Sequence, residues 1–169
     1  MPSGSVSNMP THGPGHLRAF DYIGLHRYFL TFCCHSQQPR FRNRPVVELV
    51  RAQIRRAAHE EHFAIPAYCF MPDHLHLLIE ATADQSNGLK FISKAKQLSG
   101  FHFKQLYRLP LWQRYGYEHV LRDDEKTRVV ARYILENPVR AGLVKSPEDF
   151  PFLGSDTHPV QEVLEFTSG

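Results

Sequence analysis

Two imidazoles and a phenol are the residues of this chain whose types and spacing suit chemistry on an electrophile. His74 and His76 stand in Met71-Pro72-Asp73-His74-Leu75-His76-Leu77-Leu78-Ile79-Glu80. The apolar run after them reads as a strand, and on a strand residues i and i+2 project from one face. Their bases then lie about 7 Å apart, two rises of roughly 3.3 Å, and both rings aim at one point. Two convergent imidazoles make half of a divalent metal site. Such pairs also occur on ordinary half-exposed strands, so the spacing alone leaves both readings open. Further on, Tyr133 and Asn137 occupy positions i and i+4 of a stretch with helical spacing, and so share a helix face. A phenol is a nucleophile when a base or a metal activates it. A phosphodiester is a suitable electrophile when a cation polarises its oxygens. The Asn137 side-chain oxygen would complete a shell with His74 and His76, and carbonyl and imidazole donors with open positions suit Mg2+ or Mn2+. The plain alternative makes Tyr133 one more packed aromatic among seven tyrosines.

The elements that would position these groups follow from periodicity. His26 to Cys34 is dense in aromatic and β-branched residues and reads as a first strand. From about Pro45 to His62, apolar residues Val46, Val47, Leu49, Val50, Ile54 and Ala57-Ala58 recur at helical spacing, with Arg51, Arg55 and Arg56 opposite. Pro45 suits a first helical turn. Phe63 to Phe70 is a second strand, Met71-Pro72-Asp73 a turn, and His74 to Ala81 a third strand, which together predict a hairpin. Asn87 to about Leu106 is a second, basic helix, weakened in its middle by Ser99-Gly100. Glu118 to Arg122 is a short fourth strand. Asp123-Asp124-Glu125 then opens a third helix as N-cap and first-turn acids, and Asn137-Pro138 ends it. The order β-α-β-β-α-β-α is the ferredoxin-like, RRM-like pattern of an α+β fold. It predicts an antiparallel sheet with helices on one face and an additional C-terminal helix bearing Tyr133. That architecture hosts many functions and names none.

Bulk properties set bounds. A chain of 169 residues with 42% hydrophobic and 22% charged content fits one globular domain. The predicted division is a disordered arm over 1–18, rich in Gly, Pro and Ser, a domain over 19–147, and a tail over 148–169. His12 and His16 fall in the arm. Net charge of +3 is too small to argue for nucleic acid by itself. Three cysteines, Cys33, Cys34 and Cys69, lack metal-site spacing and point to buried thiols in a reduced, cytoplasmic compartment. No apolar run approaches the roughly 18 residues of a membrane span, and residues 1–17 lack the apolar stretch of a secretory signal.

Three blocks carry a family resemblance. They are Tyr68 to Ile79 around the histidines; Leu111-Trp112-Gln113-Arg114 with Tyr117-Glu118-His119-Val120-Leu121-Arg122; and Tyr133-Ile134-Leu135-Glu136-Asn137-Pro138-Val139-Arg140-Ala141-Gly142-Leu143-Val144. In this order they resemble the single-tyrosine HUH transposases, most of all the REP-associated tyrosine transposase branch, over roughly Tyr22 to Val144. The resemblance implies a metal-dependent endonuclease and strand transferase on single-stranded DNA. His74 and His76 match the metal-binding histidines, Tyr133 the nucleophile, and Asn137 the residue that assists the metal. The implied route is a 5′-phosphotyrosine intermediate that needs no ATP, and the chain has no G-x-x-x-x-G-K-[ST] loop. The implied partner is a hairpin repeat beside a guide tetranucleotide, bound by a monomer or a homodimer. Lys94, Lys96 and Lys104, with Arg114 and Arg122, are then candidates to follow the DNA backbone, and Trp112 or Tyr115 to stack a base. Tyr115 and Tyr117 are rival nucleophiles.

Two other readings use the same residues. A non-catalytic single-stranded nucleic-acid binder would keep the basic helix and gain nothing from a metal. A small zinc hydrolase would add His102 or His119 to the histidine pair.

Overall fold

The computed structural model describes residues 19–122 and 126–166. Strands β1 (Arg27–Cys33), β2 (Phe63–Met71), β3 (His74–Ala81), β4 (Tyr117–Leu121) and β5 (Leu153–Gly154) form one sheet in the order β4-β1-β3-β2-β5. All its pairings are antiparallel. The first four strands give the ferredoxin-like order expected from the sequence. The predicted arm over 1–18, with His12 and His16, lies outside the described residues, as do the acids at 123–125 expected to cap the third helix.

Helix α1 (Arg44–Glu61) starts where Asn43 Oδ1 accepts from Val46 N at 3.1 Å, with Pro45 in the first turn. Helix α2 (Gly88–Tyr107) starts the same way, Asn87 Oδ1 accepting from Lys90 N at 3.1 Å. Both helices lie on one face of the sheet, over Tyr28, Leu30 and Phe32 of β1 and Leu75, Leu77 and Ile79 of β3. The expected weakness at Ser99-Gly100 does not appear, and α2 runs through it unbroken. Ser99 is fully buried, its hydroxyl donates to the Ala95 carbonyl at 2.5 Å, and it accepts from Trp112 Nε1 at 2.9 Å. A helix-weakening residue is therefore the hook that fastens the only tryptophan.

The opposite face carries a second, smaller core of Phe29, Ala67, Cys69, Met71 and Leu78. Helix α3 (Thr127–Leu135) covers it with Ala131, Ile134 and Leu135. Burying Ile134 and Leu135 contributes about 1.5–3 kcal/mol each. A helix this short would not hold its shape unaided, so docking is what fixes its rotation. A turn at Glu136 separates α3 from the single-turn helix α4 (Asn137–Arg140). The predicted end of the helix at Asn137-Pro138 is thus a break, after which one more turn follows. Pro138 has no N–H, so it cannot continue the α-helical ladder.

The segment expected as a tail folds onto this second face. β5 pairs with β2 through Tyr68 opposite Gly154 and Cys69 opposite Leu153. Helix α5 (Val160–Glu165) buries Val163 against α3. Asp156 binds Arg55 of α1 at 2.9 and 2.5 Å. Two residues are too short a strand to show a period, although Phe150, Phe152, Leu153 and Val163 supplied an apolar signal.

Strand β4 begins at a forced approach. A Cβ on Gly116 would lie 2.3 Å from the Thr31 carbonyl oxygen, a backbone atom that cannot swing aside. Gly116→Ala is therefore expected to destabilise the fold by about 1–3 kcal/mol, read as a lowered urea midpoint.

Candidate functional site

Alternation along β3 puts Leu75, Leu77 and Ile79 under α1 and α2, and so turns His74 and His76 to the α3 face. His76 is flanked by Thr31 on β1 and Cys69 on β2. It is 8% exposed, and its Nδ1 pairs with Thr31 Oγ1 at 2.9 Å. His74 sits at the strand's start, where the Asp73 carboxylate accepts from its Nδ1 at 2.6 Å. The turn that carries Asp73 is anchored by Cys34 N donating to the Asp73 carbonyl and Phe41 N to the Pro72 carbonyl. With both Nδ1 atoms occupied, the two Nε2 atoms face each other at 3.1 Å.

That donor set fits a cation. Two ligands about 2.1 Å from one ion, at right angles, lie about 3 Å apart. Fixing Nδ1 by a carboxylate or hydroxyl leaves the Nε2 lone pair for the metal. Burial, the neighbouring His74 and the Arg140 charge push the His76 pKa down to about 3, so the ring is neutral and able to ligate at any ordinary pH. Among the described residues no group of three or more His, Cys, Asp or Glu side chains is placed to hold a metal. A third histidine is not brought to the pair: His102 is on α2, across the sheet, and His119 is exposed on β4, opposite Phe29. This removes the geometric support for the zinc-hydrolase reading.

Tyr133 reaches the same neighbourhood from α3. Phe29 stacks on His76 at 5.6 Å and meets the Tyr133 ring edge-on at 6.3 Å. Tyr133 is 46% exposed, so its ring is accessible from solvent. The rival Tyr117 also abuts Phe29, at 6.1 Å, and is half-buried in the second core. Tyr115 is exposed on the loop before β4. Asn137 is half-buried on α4, and no hydrogen bond joins its amide to either histidine among the described residues. The structure thus places His76, with His74 beside it, and Tyr133 against one Phe29 ring, and Asn137 four residues beyond Tyr133 in the next helical turn.

Sequence reasoning missed Arg140. Its Cζ lies 3.7 Å from the Tyr133 ring centroid, and it donates to the Tyr133 carbonyl. It lies seven residues beyond Tyr133, on the far side of the turn at Glu136, so helix periodicity could not be carried across to it.

The candidate DNA contacts are scattered. Lys94 is engaged by Glu61 at 2.5 Å and Glu60 at 3.2 Å, in the seam between α1 and α2. Lys96 is half-buried, 3.5 Å from the Gln113 and Arg114 carbonyls, and burial lowers its pKa. Lys104 is exposed near the end of α2. Arg114 is exposed and packs on Tyr115 at 5.2 Å. Arg122 is exposed, and its carbonyl accepts from Arg27. Lys96, Arg114 and Tyr115 line a cleft of about 460 Å³ between α2 and β4. Trp112 is partly buried, packed edge-on against Phe32 at 5.6 Å at the margin of the core. The cysteines are inert: burial raises Cys33 and pushes Cys34 and Cys69 up to about 12.

One face of the ferredoxin-like sheet thus carries the histidine pair, with the helix bearing the exposed Tyr133 docked on it. The transposase IS200-like family model matches residues 23–137, and the chain belongs to that family. It is 29% identical over 146 residues to a putative REP-associated tyrosine transposase of Haemophilus influenzae, covering 80% of this chain and 81% of that one. It is 30% identical over 135 residues to the REP-associated tyrosine transposase of Escherichia coli K12, covering 72% and 78%. A solved REP-associated tyrosine transposase bound to a REP hairpin shares the fold at TM-score 0.68 and 24% identity, covering 82% of this chain and 81% of that one. No helix among the described residues is long and apolar enough to cross a membrane.

The low pKa of His76 has a consequence for stability. Unfolded, its imidazole takes a proton below about pH 6.5; folded, it refuses one until about pH 3. Its stabilising contribution is complete above about 6.5 and is lost as pH falls toward 3, by up to about 1.4 kcal/mol per pH unit. Urea midpoints measured between pH 7 and pH 4 should fall more steeply in the wild type than in His76→Leu.

Proposed function

We propose that this transposase nicks and rejoins single-stranded hairpin DNA through a covalent link to Tyr133, with a divalent ion, Mg2+ or Mn2+, held by His74 and His76. One observation carries the reading: the exposed Tyr133 phenol and the neutral, metal-competent His76 pack on the same Phe29 ring. The names of the relatives supply the substrate class, a REP-type hairpin. Asn137 is offered as a third donor on its place in the chain beside the tyrosine helix.

A bound ion supplies polarisation of the phosphoryl oxygens and neutralises charge as it develops. The chain's own groups do the rest. Asp73 accepts from His74 Nδ1, and with the Thr31 hydroxyl accepting from His76 Nδ1 both rings would present their Nε2 lone pairs to the ion. Docking of Ile134 and Leu135 sets the rotation of α3 and so the direction of Tyr133. The Tyr133 oxygen forms a bond to phosphorus while the bond from phosphorus to the 3′ oxygen breaks. The phenol proton leaves to solvent, and the departing oxygen becomes a 3′-OH. The phosphotyrosine ester conserves the bond, so attack by another 3′-OH reverses the step and restores a phosphodiester.

The test is a denaturing gel of protein incubated with labelled single-stranded hairpin and Mn2+. A covalent band that requires the metal and vanishes in Tyr133→Phe is the expected result. Survival of the band in Tyr133→Phe transfers the role to Tyr117 or Tyr115. Intact hairpin binding with no band in the wild type favours the non-catalytic binder. Thr31→Val removes the hydroxyl that fixes His76 at nearly constant volume. It is expected to weaken Mn2+ binding about 10- to 100-fold by calorimetry, with the fold retained.

A further inference from the structure

An exposed tyrosine on a short helix has a ring that samples rotamers on the picosecond-to-nanosecond scale, whereas in-line attack needs the reacting oxygen held in one direction. Phe29 meets the Tyr133 ring at an interplanar angle of 77° and a centroid distance of 6.3 Å, a contact that limits the ring from one side only. The closer neighbour is Arg140, with its Cζ 3.7 Å from the ring centroid. The same guanidinium donates through Nη2 to the Tyr133 backbone carbonyl. That carbonyl lies in the last turn of α3, just before the turn at Glu136 that separates α3 from α4. Arg140 is itself restrained. Its Nη1 lies 3.8 Å from Glu136 Oε2, and Glu136 Oε1 accepts from Arg132 Nε at 2.7 Å.

We infer that Arg140 is the positioning residue of the nucleophile: one planar guanidinium stacks on the Tyr133 ring and bonds its carbonyl, fixing the phenol toward the His74–His76 pair. The inference rests on the reading of Tyr133 as the nucleophile. Stacking and bonding together require a flat group with several donors in one plane. Lysine keeps the charge, but its ammonium is a compact point that cannot do both. Positioning also differs from a phosphate clamp. A clamp adds affinity for the uncleaved strand, whereas positioning acts on the rate once the strand is bound.

The experiment measures single-turnover formation of the covalent hairpin adduct in Mn2+ at saturating protein. Hairpin Kd by fluorescence anisotropy and the thermal midpoint are taken in parallel, for the wild type, Arg140→Lys and Arg140→Gln. The expected result is adduct formation slowed about 10- to 100-fold, more in Arg140→Gln than in Arg140→Lys, with Kd and midpoint unchanged. Full activity in Arg140→Gln overturns the inference, as does full rescue by Arg140→Lys, which would make charge alone sufficient. A rate loss matched by an equal loss of affinity overturns it in favour of a phosphate clamp. If Arg140→Gln does not fold, the Arg140→Lys comparison still decides, because positioning demands a slowed rate at unchanged Kd. Absence of any adduct in the wild type removes the Tyr133 reading first and this inference with it. An adduct in the wild type that Arg140 variants form equally fast removes only the inference.

Discussion

The hydrogen bond between Thr31 and the buried ring of His76 is the constraint on which the rest of the site depends. An imidazole at that depth must have a partner, since an unpaired polar group there costs about 1–3 kcal/mol. β1 supplies it only in one register, with Thr31 directly opposite His76. That register is set on the other side of the sheet. Leu75, Leu77 and Ile79 are essentially inaccessible beneath α1 and α2, and slipping β3 by one residue would exchange them with the histidines. The apolar core and the polar site are therefore two faces of one alternation. The ordinary requirement to bury leucine on a central strand is also what aims the imidazoles.

How far the sequence disclosed this follows from the range over which each signal acts. Strong local periods were legible: β3 runs from His74 to Ala81 as expected, and the bounds of α1, α2 and β2 shift by a residue or so. The i, i+2 argument for His74 and His76 needed only strand geometry and held to atomic detail. What escaped depends on contacts distant in the chain. Ser99 looks like a defect in α2 until Trp112 arrives to bond it. Lys94 looks free until Glu60 and Glu61 of α1 come to meet it. β5 has no period of its own and exists because β2 presents an edge. The i, i+4 argument for Tyr133 and Asn137 assumed a continuous helix, and the turn at Glu136 interrupts it between those two residues, leaving Asn137 in one short turn with Pro138 and Arg140. Propensity reads such a proline as an end. The docked chain turns at Glu136 and runs on through Pro138 as α4, and a side chain from that turn donates to the Tyr133 carbonyl.

The distribution of charge over the two faces bears on how a polymer would lie on this molecule. α2, which looked like the basic surface, covers the face away from the histidines, and one of its lysines is neutralised there by α1. A strand that contacts both the exposed Lys104 and Tyr133 has to pass around an edge of the sheet. The β5 edge is closed by the C-terminal segment and by the Asp156–Arg55 pair. The β4 edge presents Arg114 stacked on Tyr115, beside a cleft that reaches back to Lys96. Geometry and charge therefore favour passage over the loop before β4. Gly116 lets that loop lie directly on the Thr31 backbone, and the Thr31 hydroxyl holds His76.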